Sequence, residues 1–503
     1  MKELTGTNLS IEDVARIARG DGEVSLSAEA RARMEQSAAL VDELAGSDEP
    51  AYGISTGFGA LATTFIPEDR RVELQHSLIR SHAAGSGPTI ESEAVRAMML
   101  LRARTLAMGY SGARPEVADL LLALVRNHLT PVVHEYGSLG ASGDLAPLAH
   151  VALALIGEGR VAVGDDVLDA AEALASAGLD PLTLRSKEGL ALINGTDGIL
   201  GMLCLAIVDM EAILDLADVA AAMTTEALLG TDRPFLPELH ALRPHPGQAT
   251  SAARLLAMLE GSPIVASHRT DDPRVQDAYS VRCTPQVNGA ARDTLDHVRR
   301  TAEAELVSAI DNPVILPDGS VESVGNFHGA PLGFVADFAA IALAEVGAIA
   351  ERRMDRMLDP ARSHGLPPFL TPEPGVRSGF MIAHYAAVSM AAENRRLAAP
   401  ASVDSMPTSA MQEDHVSMAW GAARKLRTVV ANTRRILATE VLIASQALDL
   451  RAPLEPAERT GSVLGAVRDH VPFLDEDRVL ADDIAVVERL AVDGTLLEAS
   501  AAD

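Results

Sequence analysis

Between residues 198 and 229 the chain reads GILGMLCLAIVDMEAILDLADVAAAMTTEALL, apolar on almost every side of a helix. A helix with one apolar stripe can lie at a surface, but one that is apolar nearly all round has to be wrapped by others. This segment therefore demands a helical bundle, and the rest of the chain supplies its members. Only 3% of the residues are aromatic, so the packing falls to abundant Ala and Leu, which suits closely packed helices better than sheets.

Local signals bound the other helices. Ser10-x-x-Asp13 opens a short helix that Gly20 closes, and Ser27 begins a second that ends near Gly46. In EDRRVELQHSLIRSHAAG, residues 68–85, Leu74, Leu78 and His82 fall at i, i+4 and i+8, which puts His82 on the apolar stripe. Two helices are expected near 91–108 and 115–128, with Pro115 in a first turn and Thr130-Pro131 ending the second. The text after residue 160 reads as irregular, with a small helix around 168–177. Another helix runs from Pro285 to about Ile310, where Asp311-Asn312-Pro313 stops it, and VILPDGSVESVG reads as a short hairpin. A long helix covers 331–358. Ser409 and Gln412 have capping-box spacing, so the last large helix is expected to begin there and to continue to about Leu450. The fold class is mainly α: a long central helical bundle with functional loops at helix ends, divided into an N-terminal domain over 1–195 and a bundle domain over 196–503.

The formal charge of −28 argues against nucleic acid or an anionic membrane as partner, since both recruit basic patches. Two cysteines, Cys204 and Cys283, cannot build a disulfide framework and point to a reducing compartment. The start, MKELTGTNLS, lacks the apolar core of a signal peptide, and the longest uncharged apolar run, Gly198 to Val208, is too short for a bilayer. A cytoplasmic protein is expected.

The chemistry concentrates in GSLGASGDLAPLAH, residues 137–150. A peptide nitrogen is a poor nucleophile because resonance holds its lone pair. In a loop loosened by glycines at 137, 140 and 143, the nitrogen of Gly143 can nevertheless be pressed onto the carbonyl carbon of Ala141. Loss of the Ser142 hydroxyl as water would then open a methylidene and leave a five-membered electrophilic imidazolone. The same residues also read as an ordinary turn in which Ser142 or Asp144 caps the helix that follows, with Pro147 in its first turn. Other sources of reactivity are missing: no Walker loop, no second histidine at zinc-protease spacing after His134-Glu135, no Cys/His cluster, and no nucleophile elbow. No metal is expected. A second glycine-bearing loop, AYGISTGFGALATTF at 51–65, carries Tyr52 at its head and has the character of a lid.

ASGDLAPLAH, INGT, GNFHG and QEDHVSM, in that order, resemble the aromatic amino-acid ammonia-lyases, and the likeness extends over about residues 5–470. In that family Ala-Ser-Gly cyclises into 4-methylidene-imidazol-5-one (MIO), which the resemblance assigns to Ala141, Ser142 and Gly143. It further implies an ammonia-lyase/fumarase-like fold, and homotetramers with active sites shared between subunits. Tyr52 matches the residue taken as the proton-abstracting base, and Tyr279 a residue that helps the amine or MIO exchange protons. Arg282 matches the arginine that grips the substrate carboxylate, Asn194 a residue near MIO and carboxylate, Gln276 a pocket residue and Phe327 an aromatic wall. His82 and Glu413 match the pair that contacts the imidazole of bound histidine, which favours L-histidine as substrate, with trans-urocanate and ammonia as products. The alternatives within the family are a tyrosine or phenylalanine ammonia-lyase or a 2,3-aminomutase; outside it stands a non-catalytic helical assembly protein. Three positions depart from the commoner pattern: Asp197 in place of glutamine, Met411 in place of asparagine, and His384 in place of glutamine.

Overall fold

The computed structural model describes residues 2–46, 53–57, 61, 63–141, 143–270 and 272–501. The chain is mainly α, with 20 α-helices among the described residues. Two compact units are assembled from interleaved stretches. The first takes Met1–Val208, Arg299–Asp337 and Pro400–Arg424; the second takes Asp209–Val298, Phe338–Ala399 and Lys425–Asp503. The four longest described helices, Asp197–Ala227, Thr284–Leu306, Ala330–Leu358 and Ala419–Asp449, each contribute residues to both.

The expected helix boundaries hold where capping chemistry is local. Ser10 and Asp13 form a reciprocal capping box at the start of the Ile11–Ala18 helix. Ser27 caps Ala28–Ala45, with Gly46 at its end. The Asp197–Ala227 helix is buried along most of its length, as its all-round apolar surface requires. By length and composition the Ala330–Leu358 helix could cross a membrane, but most of its apolar stretch is buried in the protein.

Three expectations fail for reasons outside local sequence. Thr130-Pro131 is a short strand rather than a helix stop, paired antiparallel with Arg160–Val163, which pairs in turn with Asp166–Asp169. The region after residue 160 is therefore a small three-stranded sheet, held by pairings that single-strand patterns do not announce. The last long helix begins at Ala419, not at Ser409. Ser409, Ala410 and Met411 take left-handed backbone angles, with φ of 50, 51 and 71°, and no side-chain cap forms there. The alternative reading of the glycine loop as an ordinary capping turn is not met at Asp144, whose side chain makes no capping hydrogen bond to its own helix, Leu145–Leu155.

Each unit has a buried charged pair. In the first, Arg102 of the Ser92–Ala107 helix is wholly buried and 3.3 Å from Asp197. In the second, the Arg353 guanidinium holds the Glu440 carboxylate through hydrogen bonds of 2.5 and 2.8 Å, and Thr224 donates to the same carboxylate at 2.8 Å. Removing one partner of such a pair strands the other charge in the core. Arg353→Ala should lower unfolding stability in chemical denaturation by about 3–5 kcal/mol. Arg70→Ala, which breaks a solvent-exposed pair with Glu73, should leave it unchanged.

Candidate active site

Leu74, Leu78 and His82 share one face of the Arg71–His82 helix, and that face looks into a cavity of about 710 Å³ within the first unit. Ser77 and Ser81 join it from the same helix. Leu145, Leu190, Ile193, Asn194 and Asn312 form further walls, and Ser409, Ala410 and Glu413 close another side. His82 and Glu413 are the titratable side chains among the described lining residues.

The hydrogen bonds of His82 fix its tautomer. Nδ1 lies 2.9 Å from the Leu78 carbonyl oxygen, which can only accept, so Nδ1 carries the hydrogen. Nε2 then keeps its lone pair and is the polar atom the ring offers to the cavity. Burial holds the imidazole below its ordinary range; the Leu78 contact and the Glu413 charge oppose this only in part, so the ring is neutral at pH 7. Glu413 sits in a tight loop, not in a helix's first turn. Its backbone pairs with Thr408 in both directions, and Thr408 Oγ1 donates to its carboxylate at 3.0 Å. The left-handed residues 409–411 turn the chain between those two partners.

Asn194 ends the short Glu188–Ile193 helix and is 3% exposed. Its Nδ2 donates to the Asn312 carbonyl at 2.7 Å, and Arg102 holds its backbone oxygen at 2.8 Å. The Asn194 Oδ1 is buried without a hydrogen-bond partner among the described residues. Such an orphaned acceptor is costly unless a further group supplies the donor. Asp197, one of the departures from the commoner pattern, is matched locally by Arg102 and by Thr105 Oγ1 at 3.1 Å.

The glycine loop is pinned beside this wall. Gly143 forms a parallel bridge with Gly195, and the Asp144 N–H donates to the Gly195 carbonyl at 2.6 Å. With φ at +72° and the Gly195 backbone against its Cα, position 143 has no room for a side chain. The Asp144 carboxylate turns away from its own helix. It accepts the N–H groups of Gly198 and Ile199, at 2.8 and 3.0 Å, at the N-terminus of the long apolar helix, and the Ser138 hydroxyl at 2.9 Å. Complete burial, with Asp197 adding to it, outweighs these donors and pushes Asp144 up to about 7.

Other expected site residues lie elsewhere. Ala141 is buried within the glycine loop itself, while Tyr52 and Ser142 fall outside the described residues. Phe327 is half-buried in a turn of the first unit and is not among the residues lining the cavity. Gln276, Tyr279 and Arg282 belong to the second unit. There the Arg282 guanidinium stacks 4.6 Å over the Tyr279 ring and its Nε donates to the Asp277 carbonyl at 3.0 Å, while Tyr279 and Gln276 are exposed. His384, also in the second unit, is bound to Glu351 at 2.7 Å, and Met411 is exposed. Residues that the sequence reading passed over include Arg102, Asn312, Ser138 and Ser417. The two arginines inside the apolar run MMLLRARTLA are the signal that could have exposed Arg102, because a charge in such a run needs a buried partner.

Residues 9–469 match the aromatic amino acid lyase family, and the chain belongs to it. It is therefore a carbon–nitrogen lyase rather than a scaffold. It is 55% identical to a histidine ammonia-lyase of Streptomyces avermitilis over 501 residues, covering 99% of this chain and 98% of that one. A crystal structure of histidine ammonia-lyase from Trypanosoma cruzi superposes with a TM-score of 0.92 at 40% identity, covering 99% of this chain and 95% of that one. A tyrosine aminomutase from Streptomyces globisporus superposes with a TM-score of 0.93 at 39% identity, covering 99% and 98%.

The buried carboxyl gives a pH signature. The native state keeps the Asp144 proton up to about 7, whereas an unfolded chain releases it near 4. The stability this contributes is complete below the unfolded value and is lost as pH rises through the native one. Denaturant midpoints measured from pH 5 to 8 should show this decline in the parent protein and a flatter profile in Asp144→Asn.

Proposed function

We propose that the chain deaminates L-histidine to trans-urocanate and ammonia, using MIO formed from Ala141-Ser142-Gly143. The observation that carries the substrate reading is the pairing of His82 and Glu413 across one cavity. Nε2 of a neutral histidine and a carboxylate are both acceptors, so the ring that suits them presents two N–H groups, as an imidazolium does. A phenol has one donor and leaves one acceptor unmatched, and a phenyl ring has none; burying unmatched polar groups is strongly penalised.

The residues around the loop fit the cofactor. Gly143 has no space for a side chain and both ends of the tripeptide are tied down. The ring carries no N–H, so the orphaned Asn194 Oδ1 is left for a donor on the substrate. Once formed, the ring supplies an electrophile that turns the substrate amine into a leaving group. Its electron demand gains from the helix N-terminus at Asp197, whose partial positive charge stands behind the loop. Tyr52 would take the β-proton, which needs neighbouring charge or donors because an unperturbed tyrosine ionises only near pH 10. Arg282 would hold the carboxylate in a two-pronged grip, with Tyr279 and Gln276 beside it and Phe327 as a wall.

Sharing of the site between subunits of a homotetramer explains why Gln276, Tyr279 and Arg282 form a cluster of their own in the second unit. Exposed apolar side chains at Phe338 and Ile341, and at Ile382, Tyr385 and Val388, support assembly, since they lie at helical spacing on two helices of that unit. Two free cysteines fit a cytoplasmic location.

Supplying histidine, tyrosine and phenylalanine separately, while following ammonia and the conjugated acid, tests the substrate assignment. Histidine should turn over fastest; faster tyrosine turnover, or a β-amino acid product as in an aminomutase, would replace it. Glu413→Ala should cut kcat/KM for histidine by roughly 5- to 150-fold, the equivalent of about 1–3 kcal/mol, with a smaller loss for tyrosine. The intact mass of the purified chain should fall short of the sequence mass by two waters, and Ser142→Ala should restore the unmodified backbone mass and abolish most activity.

A further inference from the structure

We propose that Ser417 is a positioning residue for ring closure, its hydroxyl holding the Gly140 carbonyl and thereby fixing the upstream end of Ala141-Ser142-Gly143. The inference rests on the reading that this tripeptide cyclises.

Both ends of the tripeptide are fastened to segments far away in sequence. Downstream, Gly143 and Asp144 are bound to Gly195 and to the N-terminus of the Asp197–Ala227 helix. Upstream, the Gly140 carbonyl oxygen accepts the Ser417 hydroxyl at 2.7 Å and the Gly329 N–H at 2.8 Å, which occupies both of its lone pairs. The Met418 N–H donates to the Leu139 carbonyl at 2.8 Å. Ser417 itself is 3% exposed, and its oxygen accepts the Ala419 N–H at 3.2 Å. A hydroxyl has one hydrogen, and the short contact to Gly140 takes it in preference to the 3.5 Å approach to Leu139. Ala419 is the first residue of a 31-residue helix, so the hydroxyl passes the position of that helix on to the loop.

Ring closure needs the Gly143 nitrogen held against the Ala141 carbonyl carbon. A free glycine-rich loop would spend little time in that arrangement, and tying both ends restores the effective concentration of the two reacting atoms. The balance requires no outside reactant. A bond forms between the Gly143 nitrogen and the Ala141 carbon. The Ala141 oxygen departs as water with the amide hydrogens of Gly143 and Ser142. The Ser142 hydroxyl departs as a second water with its own α-hydrogen, leaving the methylidene. No atom is oxidised from outside, and the chain loses two waters.

The test compares Ser417→Ala with Ser445→Ala. Ser445 is buried on the same helix, and its hydroxyl donates to the Val441 carbonyl at 2.8 Å, so this control removes an equivalent bond away from the loop. Intact mass is read on the folded, soluble fraction of each variant, with thermal unfolding as the check on folding. Ser445→Ala should carry the full two-water deficit, whereas most chains of Ser417→Ala should lack it while unfolding cooperatively. A complete deficit in Ser417→Ala overturns the proposal. Should Ser417→Ala not accumulate as folded protein, Ser417→Cys decides: it keeps the bulk but donates weakly, and a partial deficit supports the proposal while a complete one overturns it. An unmodified mass in the parent chain overturns the cofactor reading itself. A modified parent with a fully modified Ser417→Ala overturns the role of Ser417 alone.

Discussion

The backbones of residues 143–144 and 195 lie against each other more closely than any side chain would permit. That contact requires glycine at 143, and it brings the start of the central apolar helix to the glycine loop. The Asp144 carboxylate then receives the first amide hydrogens of that helix, so the polar end of the most hydrophobic element in the chain is satisfied by the loop itself. Bundle and site are consequently one problem. The helix could not be buried without a partner for its N-terminus, and the loop could not be held without the helix.

The site is finished with buried polar groups, each given a partner. Arg102 ties the Asn194 turn to Asp197, Asn312 orients the Asn194 amide, and Thr408 holds the Glu413 carboxylate. The Asn194 Oδ1 has no donor among the described residues, and Asp197 Oδ2 and Arg102 Nε also lack a hydrogen-bond partner there. Of these residues Asn194 lines the cavity, where a ligand can supply the donor. The neutral, Nδ1-protonated state of His82 belongs to the same arrangement, because the helix carbonyl that fixes the ring also decides what its free nitrogen can recognise.

Much of this was readable in the sequence. Ser10, Ser27 and Gly46 act within a few residues of themselves, and their elements begin and end as local chemistry dictates. The stripe through Leu74, Leu78 and His82 was visible as well, although periodicity could not say that it faces a cavity rather than a core. What escaped prediction involves partners distant in the chain. Thr130-Pro131 became a strand because Arg160–Val163 lies beside it. Asp144 ignored its own helix in favour of one that starts more than 50 residues later. The helix expected at Ser409 starts at Ala419, since residues 417 and 418 are claimed by the loop at 139–140. Gln276, Tyr279 and Arg282 were recognisable as a group, yet they belong to the second unit and are not among the residues lining the cavity of the first.

The Thr408–Glu413 loop sets one of the two titratable groups of the cavity on a turn rather than on a helix. The carboxylate is displayed by a few left-handed backbone angles and one hydroxyl, outside the interlocked helices. A change at 413 would rework a six-residue turn, whereas His82 across the cavity is locked to a carbonyl of its own helix, so the two titratable groups of the cavity differ in how much of the fold each would disturb.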